Sequence, residues 1–347
     1  MKKIILLLCL FTVALFAEET VPKNIILFIG DGMGPSQVTA GKVVKGTLEM
    51  ERCPATALVT TWSADKLVTD SAAAGTALAT GEKTDNGMIS QDPDGKRLET
   101  VLEFAEEKGK SSGLVVNCAV THATPASFAS HVPSRKQYED IADQLAASDV
   151  DVLFGGGLEH FNSKSLAVLQ KKMPVAETAD EFYALGTPQK AAALLYPKHP
   201  PYAAERTVSL SELTTKALEI LSQDEDGFFL MVEGSQIDWA GHKNDSTNIV
   251  AEVIDFDNAV GVGLDFAEKK PDTLVVITAD HETGAFAVLD GLVADKTVTK
   301  TAFGSGSHSA SIVPLFAFGP GSEEFNGLMD NTDVAKTMIR FIQSSAE

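Results

Sequence analysis

Two hydrophobic patterns alternate along the chain. Seven apolar, β-branched runs of strand length occupy 24–30, 58–63, 113–120, 150–154, 228–233, 273–279 and 313–318. Between most of them the apolar positions fall at helical spacing. In RLETVLEFAEEKGK they stand at 98, 101, 102 and 105, with Gly109 as a stop. SRKQYEDIADQLAAS, SLSELTTKALEILS and NIVAEVIDFDNAVGVGLDFAEKK follow the same rule. Continuous apolar strands alternating with amphipathic helices predict an α/β fold, a three-layer α/β/α sandwich with a mostly parallel central sheet. No internal repeat or linker interrupts the pattern, so one domain over 18–347 is expected. The stretch 170–210, with Pro197, Pro200 and Pro201, is the least regular and reads as a surface excursion.

The amino terminus adds a destination. Lys2 and Lys3 precede an uncharged run from Ile4 to Phe16, and small Ala17 stands before Glu18 and Glu19. This is the layout of a secretory signal peptide over 1–17, cleaved after Ala17. The run falls short of the roughly 20 apolar residues of a membrane span, so no stable membrane anchor is expected. Large Leu8 before Cys9 argues against a lipoprotein. The formal charge of −20 becomes −22 once Lys2 and Lys3 are removed. Such a surface repels nucleic acid and anionic lipid. An anionic substrate then requires a locally positive site. Of the cysteines left, Cys53 and Cys118 are too few for a disulfide framework, and Cys118 inside an apolar run reads as a buried free thiol.

In an open α/β sheet, ligands bind beyond the carboxyl ends of the strands, so the residues after each apolar run carry the chemistry. Asp31 follows the first run, THATP with His122 and Thr124 follows the third, and Glu233 with GSQIDWAGH follows the fifth. Asp280 and His281 follow the sixth, and GSGSHSAS with His308 precedes the last. Asp and His together suit zinc-like ions, whereas all-oxygen sets suit magnesium or calcium. DWAGH places Asp238 and His242 four apart, on one face of a helical turn. Each feature alone has an ordinary reading: Asp31 as a turn residue, Asp238 and His242 as a solvated helix face. Their joint placement at one sheet edge raises the metal reading. His131, His160 and His199 lack such context and read as structural or exposed.

A nucleophile and a clamp complete the set. In KLVTDSAAAGTALATG, Asp70 and Ser71 stand at the start of a small-residue helix, where amides and dipole favour an anion. A plain cap is the competing reading. Arg135 in SFASHVPSRKQYED, at the start of another helix, has the side chain best shaped for two parallel bonds to phosphate. In GDGMG the glycines at 30, 32 and 34 do not fit the G-x-G-x-x-G dinucleotide fingerprint. They allow a tight turn around Asp31 instead.

GDGMG, VTDSAAAGTA, THATPASFASHVPSR, EGSQIDWAGH, TADHETGAF and GSHSAS, in order from 24 to about 325, resemble the alkaline phosphatases, most closely the short secreted bacterial type. The resemblance implies two zinc ions and one magnesium per subunit. One zinc would take Asp238, His242 and His308, and the other Asp31, Asp280 and His281. The magnesium would take Asp31, Thr124 and Glu233. Ser71 would be the nucleophile and Arg135 the phosphate clamp, oriented by Asp70. His122 and Trp239 stand where some members have Asp and Lys, which opens the third site to zinc. The short span between His281 and His308 leaves no room for an elaborate cap. A homodimer, a periplasmic or extracellular location and small phosphate monoesters as substrates also follow from the resemblance.

Rival readings are a superfamily phosphodiesterase, a sulfatase, or a non-catalytic periplasmic phosphate- or metal-binding protein. A sulfatase needs a Cys/Ser-x-Pro-x-Arg context, and Ser71 is followed by three alanines. Superfamily diesterases often use threonine without the arginine. A binding protein has no use for Ser71.

Overall fold

The computed structural model describes residues 21–344; the signal-peptide reading of 1–17 lies outside them. The strands are β1 (Asn24–Gly30), β2 (Ala55–Thr60), β3 (Ser111–Ala119), β4 (Val152–Gly156), β5 (Val175–Ala176), β6 (Ala191–Leu194), β7 (Phe228–Gly234), β8 (Thr273–Thr278), β9 (Glu282–Thr283), β10 (Phe286–Leu292), β11 (Thr297–Phe303), β12 (His308–Ser309), β13 (Val313–Phe318) and β14 (Gly327–Asp330). Ten of them form one sheet in the order β14-β2-β13-β8-β1-β7-β3-β4-β6-β5. Every pairing is parallel except those of β13, which runs antiparallel to both β2 and β8.

Burial follows position in the sheet. Every residue of β1, β7 and β8 is buried, because helices cover both faces at the centre. β13 and β2 lie toward one edge and alternate buried with partly exposed positions. Helices Pro35–Lys45, Leu210–Leu221 and Ser246–Lys269 pack together on one face. Helices Ser71–Thr80, Val101–Glu107, Ala123–Ala129 and Asn331–Ser344 pack together on the other. The expected three-layer sandwich is therefore the observed one.

The seven expected strands are all present, with shifts of a few residues at β2 and β4. The reading of 170–210 needs correction. This stretch contributes β5 and β6, and all four residues of β6 are buried at the sheet's far side. Its alanine-rich AAAL lacks the bulky β-branched signal of a core strand, which is why the pattern passes over it. The span between His281 and His308 folds as the small hairpin β10–β11, with no cap domain in it.

The proline-rich segment after β6 is fastened by a buried ion cluster. Arg206 donates from Nη2 to both oxygens of Glu252, at 2.9 and 3.0 Å, and from Nη1 to Asp255 at 2.6 Å. Glu252 also accepts from Asn117, and Asn117 accepts from the Ser235 amide beside the start of helix Gln236–His242. Removing one member of a fully buried pair leaves an uncompensated charge. Arg206→Ala is expected to lower stability by about 3–5 kcal/mol. Urea unfolding measures it, and a change within experimental error would show that Glu252 needs no such partner.

Candidate metal centre and active site

Strand order brings the chemistry together. β8, β1, β7 and β3 are adjacent, so their carboxyl ends deliver Asp280, Asp31, Glu233 and the 120–124 turn to one place. Ile29 pairs with Glu233, and the Asp31 amide donates to Gly234 O at 3.2 Å. The chain turns around Asp31 through Gly32, at φ 75°, where a Cβ would stand 2.7 Å from the Asp238 Cα. Only glycine fits there.

Three clusters of ligand-type atoms result. In the first, Asp238 Oδ1 lies 3.3 Å from His242 Nε2 and 3.4 Å from His308 Nε2, and the two imidazole nitrogens are 3.2 Å apart. Ligands on a tetrahedral zinc at about 2.0–2.1 Å stand about 3.3 Å from one another, so this spacing fits one ion. In the second, His281 Nε2 lies 3.5 Å from Asp31 Oδ1, 3.2 Å from Asp280 Oδ2 and 3.2 Å from Ser71 Oγ. The same fit holds. The third groups Glu233 with His122 and Cys118.

Several polar atoms facing these clusters have no hydrogen-bond partner. Both oxygens of Asp31, Asp280 Oδ2, Glu233 Oε1, Thr124 Oγ1 and His122 Nδ1 are buried with no hydrogen bond. Such groups are costly unless something else binds them. Cations fit, and the second shell is already set for them. His242 Nδ1 meets Gly306 O and His308 Nδ1 meets Thr69 O, both at 2.9 Å. Each carbonyl accepts the Nδ1 proton and leaves an Nε2 lone pair toward the cluster. The first cluster opens outward, since the His242 side chain is 38 % exposed, whereas those of His281, Asp31 and Asp280 are fully buried.

Charge reports the same crowding. Burial, then the neighbouring carboxylates Asp280, Asp238 and Glu233, push Asp31 well above the usual carboxylate range. Burial and then Asp238 raise Asp280 to about 6, and burial raises Glu233 to about 7. Burial opposes but does not prevent His242 and His308 from holding Asp238 well down. His242 in turn is raised to about 9 by its bond to Asp238.

Ser71 begins helix Ser71–Thr80, with Asp70 as its cap. All ten helical residues are buried and nearly all are small, so the helix packs closely on Ala123–Ala129; at Gly75 a Cβ would stand 3.0 Å from Ser127 Oγ. One oxygen of Asp70 accepts from the Ala73 and Gly87 amides, at 3.0 and 3.1 Å, and the other from Arg135 Nη1 at 2.9 Å. Arg135 does not begin a helix as expected. It lies in the loop before helix Tyr138–Ala147, held by its amide on Gly87 O at 2.7 Å.

Other expected residues separate by distance. His122 Nε2 lies 3.5 Å from Arg135 Nη2, and Trp239 packs edge-on against His122. Cys53 and Cys118 are free and buried, as read, but Cys118 Sγ also lies 3.5 Å from Glu233 Oε2. His131 is structural, bound to Ser90 O and Glu103. His199 lies nearer the chemistry than its sequence context suggests: it accepts the Ala119 amide and packs edge-on against Trp239 at 4.5 Å between ring centroids. No local signal marks His199, because its neighbours at the site are distant in sequence.

Asp280 and Glu233 hold protons in the metal-free fold at a pH where the unfolded chain has lost them. Their raised values therefore cost stability increasingly as pH rises through about 4–7. A bound cation relieves that cost and competes with those protons. At a fixed zinc concentration the zinc-induced stabilisation is expected to grow between about pH 5 and pH 8 as Kd falls, reaching roughly 2.7 kcal/mol where zinc stands at a hundredfold excess over Kd. Scanning calorimetry with and without zinc checks this, and a zinc effect independent of pH would contradict it.

The chain matches the family model described as alkaline phosphatase over residues 22–180 and 193–295. It is 35 % identical to alkaline phosphatase 3 of Bacillus subtilis, with 92 % of this chain and 89 % of that protein covered. The solved alkaline phosphatase of the Antarctic bacterium TAB5 superposes with a TM-score of 0.89 at 36 % identity, covering 94 % of this chain and 99 % of that one. A histidine-to-aspartate variant of that enzyme, with magnesium bound in its M3 site, gives 0.88 at 35 % identity, over 94 % and 99 % of the two chains. On its motifs, its fold and its three ligand clusters, the chain belongs to the alkaline phosphatase family.

Proposed function

We propose that this protein hydrolyses small phosphate monoesters in two displacements through a phosphoserine at Ser71. The observation that carries this reading is the placement of Ser71 Oγ, 3.2 Å from His281 Nε2 at the edge of the second cluster and on the helix whose cap holds Arg135. Bound divalent cations would supply charge compensation for the dianionic ester, a lowered pKa for the serine hydroxyl and for water, and stabilisation of the departing alkoxide.

The chain's own residues do the positioning. The first turn of helix Ser71–Thr80 presents backbone amides and the positive end of its dipole to the phosphoryl oxygens. Arg135, fixed by Asp70, offers its guanidinium to two of those oxygens. In the first displacement the Ser71 Oγ–P bond forms as the ester O–P bond breaks. In the second, water forms a new O–P bond as the Ser71 Oγ–P bond breaks, releasing inorganic phosphate. Asp238, His242 and His308 would hold one zinc, and Asp31, Asp280 and His281 the other. Asp31, Thr124 and Glu233 would hold the third ion, with His122 and Trp239 behind them. Magnesium is expected there, but the imidazole of His122 and the thiol of Cys118 beside Glu233 supply softer donors that favour zinc.

Ser71→Ala is expected to lower turnover by several orders of magnitude and to abolish acid-stable labelling by radioactive phosphate. Wild-type labelling of that variant would overturn the assignment. Assaying a monoester, a diester and a sulfate ester side by side separates this reading from the diesterase and sulfatase readings, and no turnover of any with zinc and magnesium supplied favours a binding protein.

One domain over 18–347, export with cleavage after Ala17, no nucleic-acid partner and a homodimer go with this function. No helix among the described residues is long and apolar enough to cross a membrane. The dimer is supported by an apolar edge. Leu58 and Leu328 pair side by side across β2 and β14, and Trp62 and Leu67 follow on the next loop, all exposed. Protein recovered from the periplasm is expected to begin at Glu18, scatter light at twice the subunit mass, and show three anomalous peaks per subunit, two of them zinc. An uncleaved chain, a monomer or a different ion count would each contradict the corresponding part of the proposal.

A further inference from the structure

Thr283 is fully buried between the two histidine-bearing clusters. Its hydroxyl donates to Asp238 Oδ1 of the first cluster. The same oxygen lies 3.3 Å from Nδ1 of His281, in the second. A hydroxyl has one proton and two lone pairs, whereas a carboxylate oxygen only accepts. With the proton committed to Asp238, the hydroxyl meets His281 as an acceptor, so Nδ1 carries a proton. The chain of bonds runs from His281 Nδ1–H to Thr283 Oγ, and from Thr283 Oγ–H to Asp238 Oδ1. It leaves the unprotonated lone pair of His281 on Nε2, the atom that faces Asp31, Asp280 and Ser71.

The other two histidines are oriented differently. His242 and His308 each use a backbone carbonyl, Gly306 O and Thr69 O. His281 alone among the three is set by a side chain, and that side chain also holds a ligand of the other cluster. Its position is fixed from several sides. The Thr283 amide donates to Gly32 O at 3.2 Å, and Thr283 pairs with His308 in the β9–β12 ladder. At Gly32 a Cβ would stand 2.8 Å from the Thr283 hydroxyl, and at Gly241 a Cβ would stand 2.9 Å from its methyl. The turn around Asp31 and the helix bearing Asp238 therefore close on the same threonine.

We propose that Thr283 is a positioning residue that couples the two zinc sites: an ion on His281 Nε2 makes its Nδ1–H a stronger donor to the Thr283 hydroxyl, which in turn holds the Asp238 ligand oxygen of the other site more firmly. The inference rests on the two-zinc reading but not on turnover. Second-shell partners of this kind typically change metal affinity by about 10–100-fold.

The test is a zinc titration of the metal-free protein against a chromophoric chelator, on wild type, Thr283→Ser and Thr283→Val. Valine keeps the shape and removes the hydroxyl, and serine restores the hydroxyl without the methyl. Wild type and Thr283→Ser are expected to fill both sites cooperatively. Thr283→Val is expected to bind at both sites about 10–100-fold more weakly and without cooperativity. Long-range proton–nitrogen spectra of the zinc-loaded wild type should place the His281 proton on Nδ1. Wild-type affinity and cooperativity in a Thr283→Val protein whose circular dichroism is native would overturn the coupling. So would a proton on Nε2 of His281, a readout that needs no variant to fold. A wild-type protein that binds no zinc would overturn the two-zinc reading itself, which keeps the two failures distinct.

Discussion

Four carboxylates, those of Asp31, Glu233, Asp238 and Asp280, are buried at the carboxyl ends of neighbouring elements, and this crowding governs the rest of the structure. Like charges at such spacing cannot all ionise in a water-poor site unless positive charge joins them. Arg135 is the nearby fixed cation, and it is already engaged by Asp70. The demand for cations is therefore built into the strand order. Any sequence that ends β1, β7 and β8 in acids and keeps those strands adjacent creates a site that is unfavourable empty and favourable when filled. In a protein of charge −20 this is also what makes an anionic substrate acceptable, because the site's polarity is opposite to that of the surface around it.

Much of this was legible in the sequence, because the information is local. A carboxylate directly after a core strand, as at Asp31 and Glu233, has no innocent partner nearby. The i, i+4 spacing of Asp238 and His242 fixes their shared face. The start of the Ser71 helix follows from a cap residue and a run of small residues. What the sequence did not disclose depends on distant segments meeting. β6 is built of alanines whose burial comes from neighbours, so no hydrophobic signal announces it. Arg135 was placed at a helix start because the residues after it look helical, but its amide is taken by Gly87, and that contact holds it in a loop. Thr283 lies within TADHETGAF but carries no charge, so nothing in its local sequence marks it. Its meaning appears only when Asp238, from another strand's end, arrives beside it.

The two histidine-bearing clusters are unequal. The second is sealed, with His281 and its carboxylates out of contact with solvent, and it shares its edge with Ser71. The first keeps the partly exposed His242 at its rim. On the proposed mechanism, an ester approaching from solvent meets the first cluster on the side where the alcohol departs and where water later enters. The sealed cluster lies behind the serine, where a hydroxyl proton must be lost. The unequal depth of the two ligand sets matches the division between attack and departure that the proposed mechanism requires.

Asp70 gives one further consequence. Its two oxygens divide between the amides that begin the Ser71 helix and the guanidinium of Arg135. Ser71 and Arg135, the proposed nucleophile and phosphate clamp, come from segments far apart in sequence, yet a single carboxylate ties them together. On the proposed reading, one acid side chain therefore fixes both the helix of the attacking oxygen and the guanidinium that grips the phosphate, so the two cannot be repositioned independently.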